Sequence, residues 1–306
     1  MKKLSQVLIA IALSGLMKAQ QDPQYSMYQY NQMIINPAYA GARDVLTAVA
    51  LNRQQWVGFD GAPKTTNLSV HGPILNKNLG LGLTVVSDKM GPRNTMGVYG
   101  NVAYILKINN TLKLSFGLNG GYQRYQFDYS KIEMKTNEVA PELFSNLTKG
   151  ALDVNGGMYL RSKAFFLGLS ATHINSPELY SYESTASGKY VYKVRMHYFI
   201  TAGYSFIINE NFVFAPTIMA KQVQSELGMD FNANVFLYKK LWIGAFYRNG
   251  YGPGALLQFY FTKNVRAGLS YDTGLQDARK LGPSFEAMIG IDFHGSKSKV
   301  MNPRFL

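Results

Sequence analysis

Residues that commonly carry chemistry are sparse in this 306-residue chain. It has four histidines and no cysteine, so disulfides, thiolate metal sites and cysteine nucleophiles are excluded. His71, His173, His197 and His294 are far apart in the sequence, and no pair has the spacing of a local metal-binding motif. His173 and His197 fall near the ends of neighbouring predicted strands, where we expect wet positions at a rim.

No other catalytic pattern stands out. The sequence contains no nucleophile elbow and no phosphate-binding loop. The glycines of the predicted strands at 79–88 and 111–127 alternate with apolar residues, which is typical of strands. Isolated charges punctuate the apolar runs, and we interpret them as paired charges on one face of a sheet: Asp153, Arg161, Asp230, Arg266, Asp272, Glu286 and Asp292. We therefore expect no catalytic residues, no cofactor and no metal, and a protein that is not an enzyme.

The elements that carry these charges follow a period of two. From Val265 to Asp272, apolar residues alternate with polar or small ones, which is typical of a strand with two unlike faces. No comparable run repeats at the helical period after about residue 45. The predicted strands are 45–55, 64–73, 79–88, 94–107, 111–127, 151–161, 164–173, 192–207, 211–225, 227–238, 241–248, 255–262, 265–275 and 284–293.

The connections between these strands alternate in length. Tight turns, such as the one at Asn109 and Asn110, alternate with longer connections at 56–63, 128–150, 174–191, 249–254 and 276–283. Short turns at one rim and long loops at the other are typical of outer-membrane barrels. A soluble β-sandwich or propeller would explain the alternation but not the one-sided loops. We predict an all-β, transmembrane antiparallel β-barrel of about 14 strands with a short N-terminal plug-like segment.

The composition agrees with a barrel. Charged residues make up 16% and aromatic residues 13% of the chain, while the mean hydropathy is only −0.10. The high hydropathy of a lipid-facing face and the low hydropathy of a polar lumen face would cancel in this average. Pro216 lies inside a predicted strand and lacks an N–H for the ladder, so we expect a bulge there.

The two ends of the chain differ from the barrel. Residues 1–19 resemble a signal peptide, with Lys2 and Lys3 before an apolar run and Ala19 at the cleavage point; the alternative is a membrane anchor. The predicted divisions are the signal peptide at 1–19, an N-terminal periplasmic or plug segment at 20–43, the barrel at 44–293 and a basic tail at 294–306. We expect both termini on the periplasmic side.

The chain is strongly basic. Its formal net charge is +13, and removal of the three lysines of the predicted signal peptide leaves +10. Because an exported membrane protein does not meet nucleic acid, the expected partners are outer-membrane lipid and anionic lipopolysaccharide.

The segment from Gln21 to Gly41 does not follow the barrel alternation. It is rich in Tyr, Gln and Asn and carries one charge, so its aromatic residues need a surface to pack against. We predict a plug, with a possible short helix at 25–33 that ends before Pro37; a disordered leader is the alternative. The predicted plug residues are Tyr25, Tyr28, Asn36, Pro37 and Tyr39.

The first long loop, from Arg53 to Thr65, is also unusual. Large apolar side chains occur where turn residues would suffice, and Trp and Arg dominate binding hot spots. We predict a site that binds a partner or locks the loop to the rim, formed by Arg53, Trp56, Phe59 and Asp60. An aromatic contact that merely stabilises the rim is the alternative.

These two segments carry a resemblance to a known family. The Asp22-Pro23-Gln24 sequence, the stretch from Asn36 to Gly41 and the stretch from Arg53 to Thr65 resemble the PorP/SprF family of the type IX secretion system in Bacteroidetes. The resemblance implies a non-enzymatic outer-membrane barrel that supports secretion or surface attachment of cargo such as gliding adhesins. Its implied partners are the secretion machinery and cargo C-terminal domains. A general or fatty-acid-transporter-like porin remains the alternative.

Overall fold

The computed structural model describes residues 22–74, 78–128, 147–184 and 188–293. The predicted signal peptide and basic tail lie outside these residues, as do His294 and most of the predicted loop at 128–150. Within the described part of the chain, no helix is long and apolar enough to cross a membrane.

Most of the described chain is strand. The strands are β1 (Leu46–Gln54), β2 (Lys64–Ile74), β3 (Leu79–Met90), β4 (Arg93–Lys107), β5 (Lys113–Phe127), β6 (Leu147–Arg161), β7 (Phe165–Thr172), β8 (Glu178–Ser184), β9 (Gly188–Lys193), β10 (His197–Tyr204), β11 (Phe206–Asn209), β12 (Phe212–Val223), β13 (Glu226–Leu237), β14 (Leu241–Arg248), β15 (Gly252–Tyr260), β16 (Val265–Asp272) and β17 (Ser284–Phe293).

These strands form one closed antiparallel barrel. From β1 to β7 and from β12 to β17 each strand pairs with the next, β10 pairs with both β7 and β12, and β1 pairs with β17 from Leu46↔Phe293 to Gln54↔Phe285. The short β11 continues the line of β10 after Ser205, and β8 and β9 form a separate hairpin. The barrel therefore has fourteen strands, which confirms the predicted fold class.

The two faces of each strand differ as the alternation predicts. In β4, Tyr99, Asn101 and Ala103 are buried, whereas Val98 and Val102 are exposed on the outside. Exposed apolar side chains recur around the outer surface, and most inward-facing positions are polar, small or charged. An apolar exterior around a polar interior suits a barrel in lipid.

The two rims of the barrel differ in their connections. One rim, called here the long-loop rim, carries residues 55–63, 173–196 and 273–283, together with the tight turns at 91–92, 224–225 and 249–251. The opposite short-turn rim carries 108–112, 162–164, 210–211, 238–240 and 261–264. The predicted longer loop at 249–254 is therefore a tight turn, because β15 begins at Gly252.

The chain before β1 lies inside the barrel. Asp22 contacts His173 after β7, at the long-loop rim, and Asp44 contacts Lys113 and Arg161 at the short-turn rim. Residues 22–44, called here the lumen segment, thus run the length of the lumen before β1 begins at Leu46. The described chain thus begins at the long-loop rim and ends, at Phe293 of β17, at the short-turn rim, whereas both termini are predicted on one side; the termini themselves lie outside the described residues.

The lumen segment is built from single turns. Three 3-10 helices cover Tyr28–Tyr30, Gln32–Ile34 and Pro37–Tyr39, instead of the helix considered at 25–33. Asn36 caps the third turn, since its side chain accepts a hydrogen bond from the Ala38 N–H, and Pro37 occupies the first position. A narrow path through the lumen, with polar partners on every side, favours short turns over a regular helix.

Pro216 does not produce the predicted bulge. Its pairing with Ala233 of β13 lies in an unbroken register. On its other side, β12 pairs with β10 and then with β11. This pairing is interrupted at Tyr204 and Ser205, opposite Pro216 and Ala215. It continues in the same register at Phe206↔Phe214. The missing N–H is accommodated by a gap in the ladder, while a register shift occurs further on, between Ile207 and Asn209.

The asymmetric rims predict a membrane orientation. Because barrels of this plan expose their long loops outside the cell, a cysteine introduced as Asp60→Cys should react with an impermeant maleimide on intact cells. Asn209→Cys, equally exposed but at the short-turn rim, should react only after the outer membrane is permeabilised. The chain has no cysteine of its own, so the wild-type protein itself should remain unlabelled and serves as the control. The reverse pattern of labelling would contradict the orientation.

Candidate functional site

The lumen segment is packed against the barrel wall along its whole length. All five predicted plug residues are buried: Tyr25, Tyr28, Asn36, Pro37 and Tyr39. Apolar residues of the segment form two clusters with the wall, one that includes Val49, Phe199 and Met288 and one that includes Ala103, Tyr159 and Phe166. The aromatic content that set this segment apart in the sequence is therefore explained by burial.

Polar contacts complement this packing. The Asn232 amide donates to the Tyr28 hydroxyl at 2.9 Å, and the Asn36 amide donates to the main-chain oxygens of Met158 and Leu169 at 2.9 and 3.3 Å. The Ser170 hydroxyl donates to the Ile35 carbonyl at 2.7 Å. These bonds come from β13, β6 and β7, so several strands of the wall hold the segment.

Two glycines of the wall allow the backbone of the segment to approach. A Cβ atom on Gly117 of β5 would lie 2.1 Å from the Ala38 nitrogen, and one on Gly80 of β3 would lie 2.0 Å from the Ala40 oxygen. No side chain fits at either position without a shift of main chain. The main chain of the segment therefore packs directly against the main chain of the wall at these two glycines.

Arg53 is the centre of a buried ion cluster that joins the segment to the barrel. Its side chain is 1% exposed, and its guanidinium binds the Asp272 carboxylate through both Nη atoms at 2.8 and 3.1 Å. Nη1 also lies 3.3 Å from the Glu286 carboxylate and donates to the Ser26 hydroxyl at 2.9 Å. Glu286 in turn accepts hydrogen bonds from the main-chain N–H groups of Ser26 and Met27, at 2.8 and 2.9 Å.

The other charges of the lumen are paired in the same way. Arg43 of the segment and Arg266 of β16 both bind Asp292, at 2.9 and 2.6 Å. Arg248 binds Asp230 at 2.9 Å and also donates to the Gln24 side chain. The interpretation of the isolated acids and arginines as paired charges on the lumen face is confirmed for these residues.

Near the short-turn rim, Asp44 ends the segment between two cations. Lys113 Nζ lies 2.9 Å and Arg161 Nη2 3.3 Å from the Asp44 carboxylate. Burial alone would raise the pKa of Asp44, but the two cations outweigh burial and lower it. The segment is therefore anchored as a carboxylate at this end.

At the long-loop rim, the segment begins in a cluster of acids and histidines. His173 lies between Asp22 and Asp153, with Nε2 2.8 Å from Asp22 and Nδ1 2.9 Å from Asp153. Burial alone would lower the pKa of His173, but the two carboxylates outweigh it and raise the pKa to about 10. His197 Nδ1 lies 3.3 Å from Asp22.

The prediction of wet rim positions for His173 and His197 is wrong, because both side chains are buried. The spacing in the sequence hides their proximity, since the β8–β9 hairpin separates them. Their placement at the ends of neighbouring strands was the only sequence signal, and nothing in the sequence placed Asp22 beside them.

The residues of the predicted site in the first long loop do not lie together in the structure. Arg53 faces the lumen from the end of β1 and pairs with interior acids, whereas Asp60 and Phe59 are exposed. Of the two charges expected to hold the loop to the rim or to a partner, Arg53 therefore points into the barrel and Asp60 toward solvent. Because the side chains at 47, 49, 51 and 53 all face inward, the strand alternation itself could have placed Arg53 in the lumen.

The rest of the loop lies against the neighbouring long loop. The Val57 N–H donates to the Pro283 carbonyl at 2.7 Å, and the Trp56 N–H donates to the Ser284 hydroxyl at 3.3 Å. Trp56 has a φ of 53°, a left-handed conformation that is rare for a bulky residue. Its buried indole N–H has no hydrogen-bond partner among the described residues, and Phe59 beside it is 51% exposed.

The closed barrel of fourteen strands, with its apolar exterior and ion-paired interior, belongs to the class of integral outer-membrane β-barrels. Solved structures similar to it include the CymD monoaromatic hydrocarbon channel, with a TM-score of 0.50, 11% identity, and coverage of 86% of this chain and 93% of that chain. A Pseudomonas aeruginosa FadL homologue is similar with a TM-score of 0.47 and 10% identity, over 93% of this chain and 97% of that chain. At such identities the likeness concerns the fold alone.

Comparison of the sequence with protein-family models identifies the family. The chain belongs to the family described as type IX secretion system membrane protein PorP/SprF, whose model matches residues 17–291. This match confirms the resemblance carried by the segments at Asp22, Asn36 and Arg53. No curated protein matches the chain significantly.

The Arg53 cluster predicts a large loss of stability in Arg53→Met. The substitution leaves the Asp272 and Glu286 carboxylates buried near each other without their cation, which should cost about 3–5 kcal/mol. Urea titration of the refolded barrel in lipid vesicles, read by the mobility of the folded band on gels, measures this change.

A matched control is Lys239→Met. Lys239 also pairs with an acid, Glu210, at 3.1 Å, but both side chains are more than half exposed, so its loss should cost about 0–1 kcal/mol. Equal effects of the two substitutions would show that the Arg53 cluster does not hold the barrel together.

Proposed function

We propose that this protein is a non-enzymatic outer-membrane component of the type IX secretion system that supports secretion or surface attachment of cargo, such as gliding adhesins. The match to the PorP/SprF family over residues 17–291 carries this proposal. Its partners on this proposal are the secretion machinery and cargo C-terminal domains, and the outer-membrane lipid and lipopolysaccharide around the basic chain.

The occupied lumen supports a secretion component over the alternative, a general or fatty-acid-transporter-like porin. The lumen segment packs on both sides of the barrel and takes part in its buried ion pairs. We propose that this segment acts as a plug that excludes solutes. A diffusion pore would need this segment to leave, at the cost of buried charges without partners.

The long-loop rim supports the docking of a partner. Val57 and Phe59 are 42% and 51% exposed, and Leu275 on the adjacent loop is 48% exposed. Together with the half-buried Trp56, they offer apolar contacts to a partner. On this proposal Trp56 and Phe59 contact the partner, Asp60 adds an exposed charge, and Arg53 holds the loop to the rim from inside.

Gly117→Ala tests the plug. Its Cβ would collide with the main chain of Ala38, so the segment should shift and single-channel conductance in planar bilayers should rise above that of the wild type. Gly120→Ala is the matched control on the same strand, since a Cβ there meets nothing within 4 Å. Unchanged conductance in a folded Gly117→Ala barrel would contradict a plug.

Trp56→Ala tests the docking site. Truncation of a hot-spot residue costs about 2 kcal/mol or more, roughly thirtyfold in affinity, so surface display of cargo should fall while small-solute uptake stays normal. Antibody staining of intact cells measures display, and gel mobility confirms insertion of the barrel.

Phe261→Ala provides the comparison for Trp56→Ala. Phe261 is 63% exposed but lies at the short-turn rim, so its truncation should leave display unchanged. Normal display by inserted Trp56→Ala would exclude the loop as the docking site. Failure of Trp56→Ala to insert would make Trp56 a structural residue.

A further inference from the structure

The cluster at the start of the lumen segment has the composition of a metal site. Asp22, His173 and His197 each offer one ligand atom, and these atoms all lie within 4.8 Å of one another. Two imidazoles and a carboxylate are a common ligand set for zinc and neighbouring transition-metal ions. The three residues come from the lumen segment, the end of β7 and the start of β10, so only the folded barrel brings them together.

The distances suit a small ion. Tetrahedral zinc holds its nitrogen and oxygen ligands at about 2.0–2.1 Å, which places those ligands about 3.3 Å from one another. Asp22 lies 3.3 Å from His197 Nδ1 and 2.8 Å from His173 Nε2. The two contacts are made by different Asp22 oxygens, and the three ligand atoms all lie within 4.8 Å of one another. Side-chain adjustments of about 1 Å would therefore be needed to bring them to the tetrahedral spacing.

The state of His197 points independently to a ligand. Its side chain is completely buried, and neither ring nitrogen makes an aligned hydrogen bond among the described residues; its polar neighbours are the Asp22 carboxylate and the main chain of Arg195. The contact with Asp22 is close enough for an ion pair but is not aligned as a hydrogen bond. The imidazole therefore exchanges its hydration for poorly aligned contacts, and a bound cation would give Nδ1 a direct partner.

The residues behind the cluster form a supporting shell. His173 turns Nε2 toward Asp22, while Nδ1 lies 2.9 Å from Asp153. The Tyr99 hydroxyl donates to the other oxygen of Asp153 at 3.0 Å. A carboxylate behind a ligand histidine fixes the ring orientation and increases its basicity, as in many zinc proteins.

Charge and access also favour a cation. Asp22 and Asp153 carry two negative charges beside the His173 imidazolium and the Lys221 ammonium group, and loss of the His173 proton on metal binding would leave the two carboxylates to face the cation. The Asp22 side chain is 21% exposed, and a cavity of about 40 Å³ beside Asp22 and Pro23 has room for water. An ion can therefore arrive from the long-loop rim and keep a water molecule as a fourth ligand.

We propose that Asp22, His173 and His197 bind one divalent transition-metal ion, with zinc as the representative, and that the ion fixes the start of the lumen segment to the long-loop rim. At His173 the ion would replace the proton shared with Asp22, so that the Nε2–H bond breaks, a metal–nitrogen bond forms and the proton passes to solvent. The unprotonated Nδ1 of His197 and one Asp22 oxygen would bind through their lone pairs and displace water from the ion. Asp153 keeps its contact with Nδ1 throughout.

Zinc titration of the purified full-length protein tests this site. After dialysis against a chelator, competition with a zinc-binding dye should detect one bound ion per barrel, and His197→Ala should weaken binding at least tenfold. Asp153→Asn, which leaves all three ligands in place, should weaken it by about 10- to 100-fold. His294→Ala removes a histidine from outside the cluster and should leave binding unchanged.

Gel mobility verifies that each variant is folded, and cobalt gives a measurement that needs no variant. Cobalt bound to the wild type should show the intense visible absorption of a tetrahedral site, and zinc should abolish it. Absence of stoichiometric binding by the wild type, or equal affinity of folded His197→Ala, would overturn the proposal and leave Asp22 and His173 as an ion pair alone.

Discussion

The burial of charge inside a closed barrel is the constraint on which the rest of this structure depends. Fourteen strands enclose more space than their own inward side chains fill, and the wall contributes acids that cannot remain unpaired when water is excluded. At the β1–β17 junction, the Arg53 guanidinium lies between Asp272 and Glu286 and offsets their negative charge. The main-chain N–H groups of Ser26 and Met27 complete the coordination of Glu286.

The lumen segment is therefore part of the electrostatic balance of the wall. Arg43 brings a second cation to Asp292, and Asp44 brings an anion to Lys113 and Arg161. Each of these contacts joins the segment to a different part of the barrel. The apolar residues between them fill the remaining space, and Gly80 and Gly117 let the backbones touch.

The sequence predicted the barrel well because its signal is local. Alternation along single strands identifies the two faces, and the lengths of successive connections identify the rims. Arg53 also followed the alternation, but its place next to a conspicuous loop obscured this. The route of the lumen segment could not be predicted, since Asp22 meets His173 and Asp44 meets Lys113 only through the three-dimensional path. The histidine cluster was missed for the same reason.

Closure of the barrel and docking of the segment are physically coupled. β1 and β17 are the first and last strands of the barrel, and their junction places Arg53 beside Glu286. Glu286 has its full set of donors only when Ser26 and Met27 are in place. Withdrawal of the segment would therefore weaken the junction that closes the barrel, because a buried carboxylate without its partners is strongly destabilising. A partner that opened this lumen would have to supply replacement donors for Glu286 and a replacement cation for Asp292.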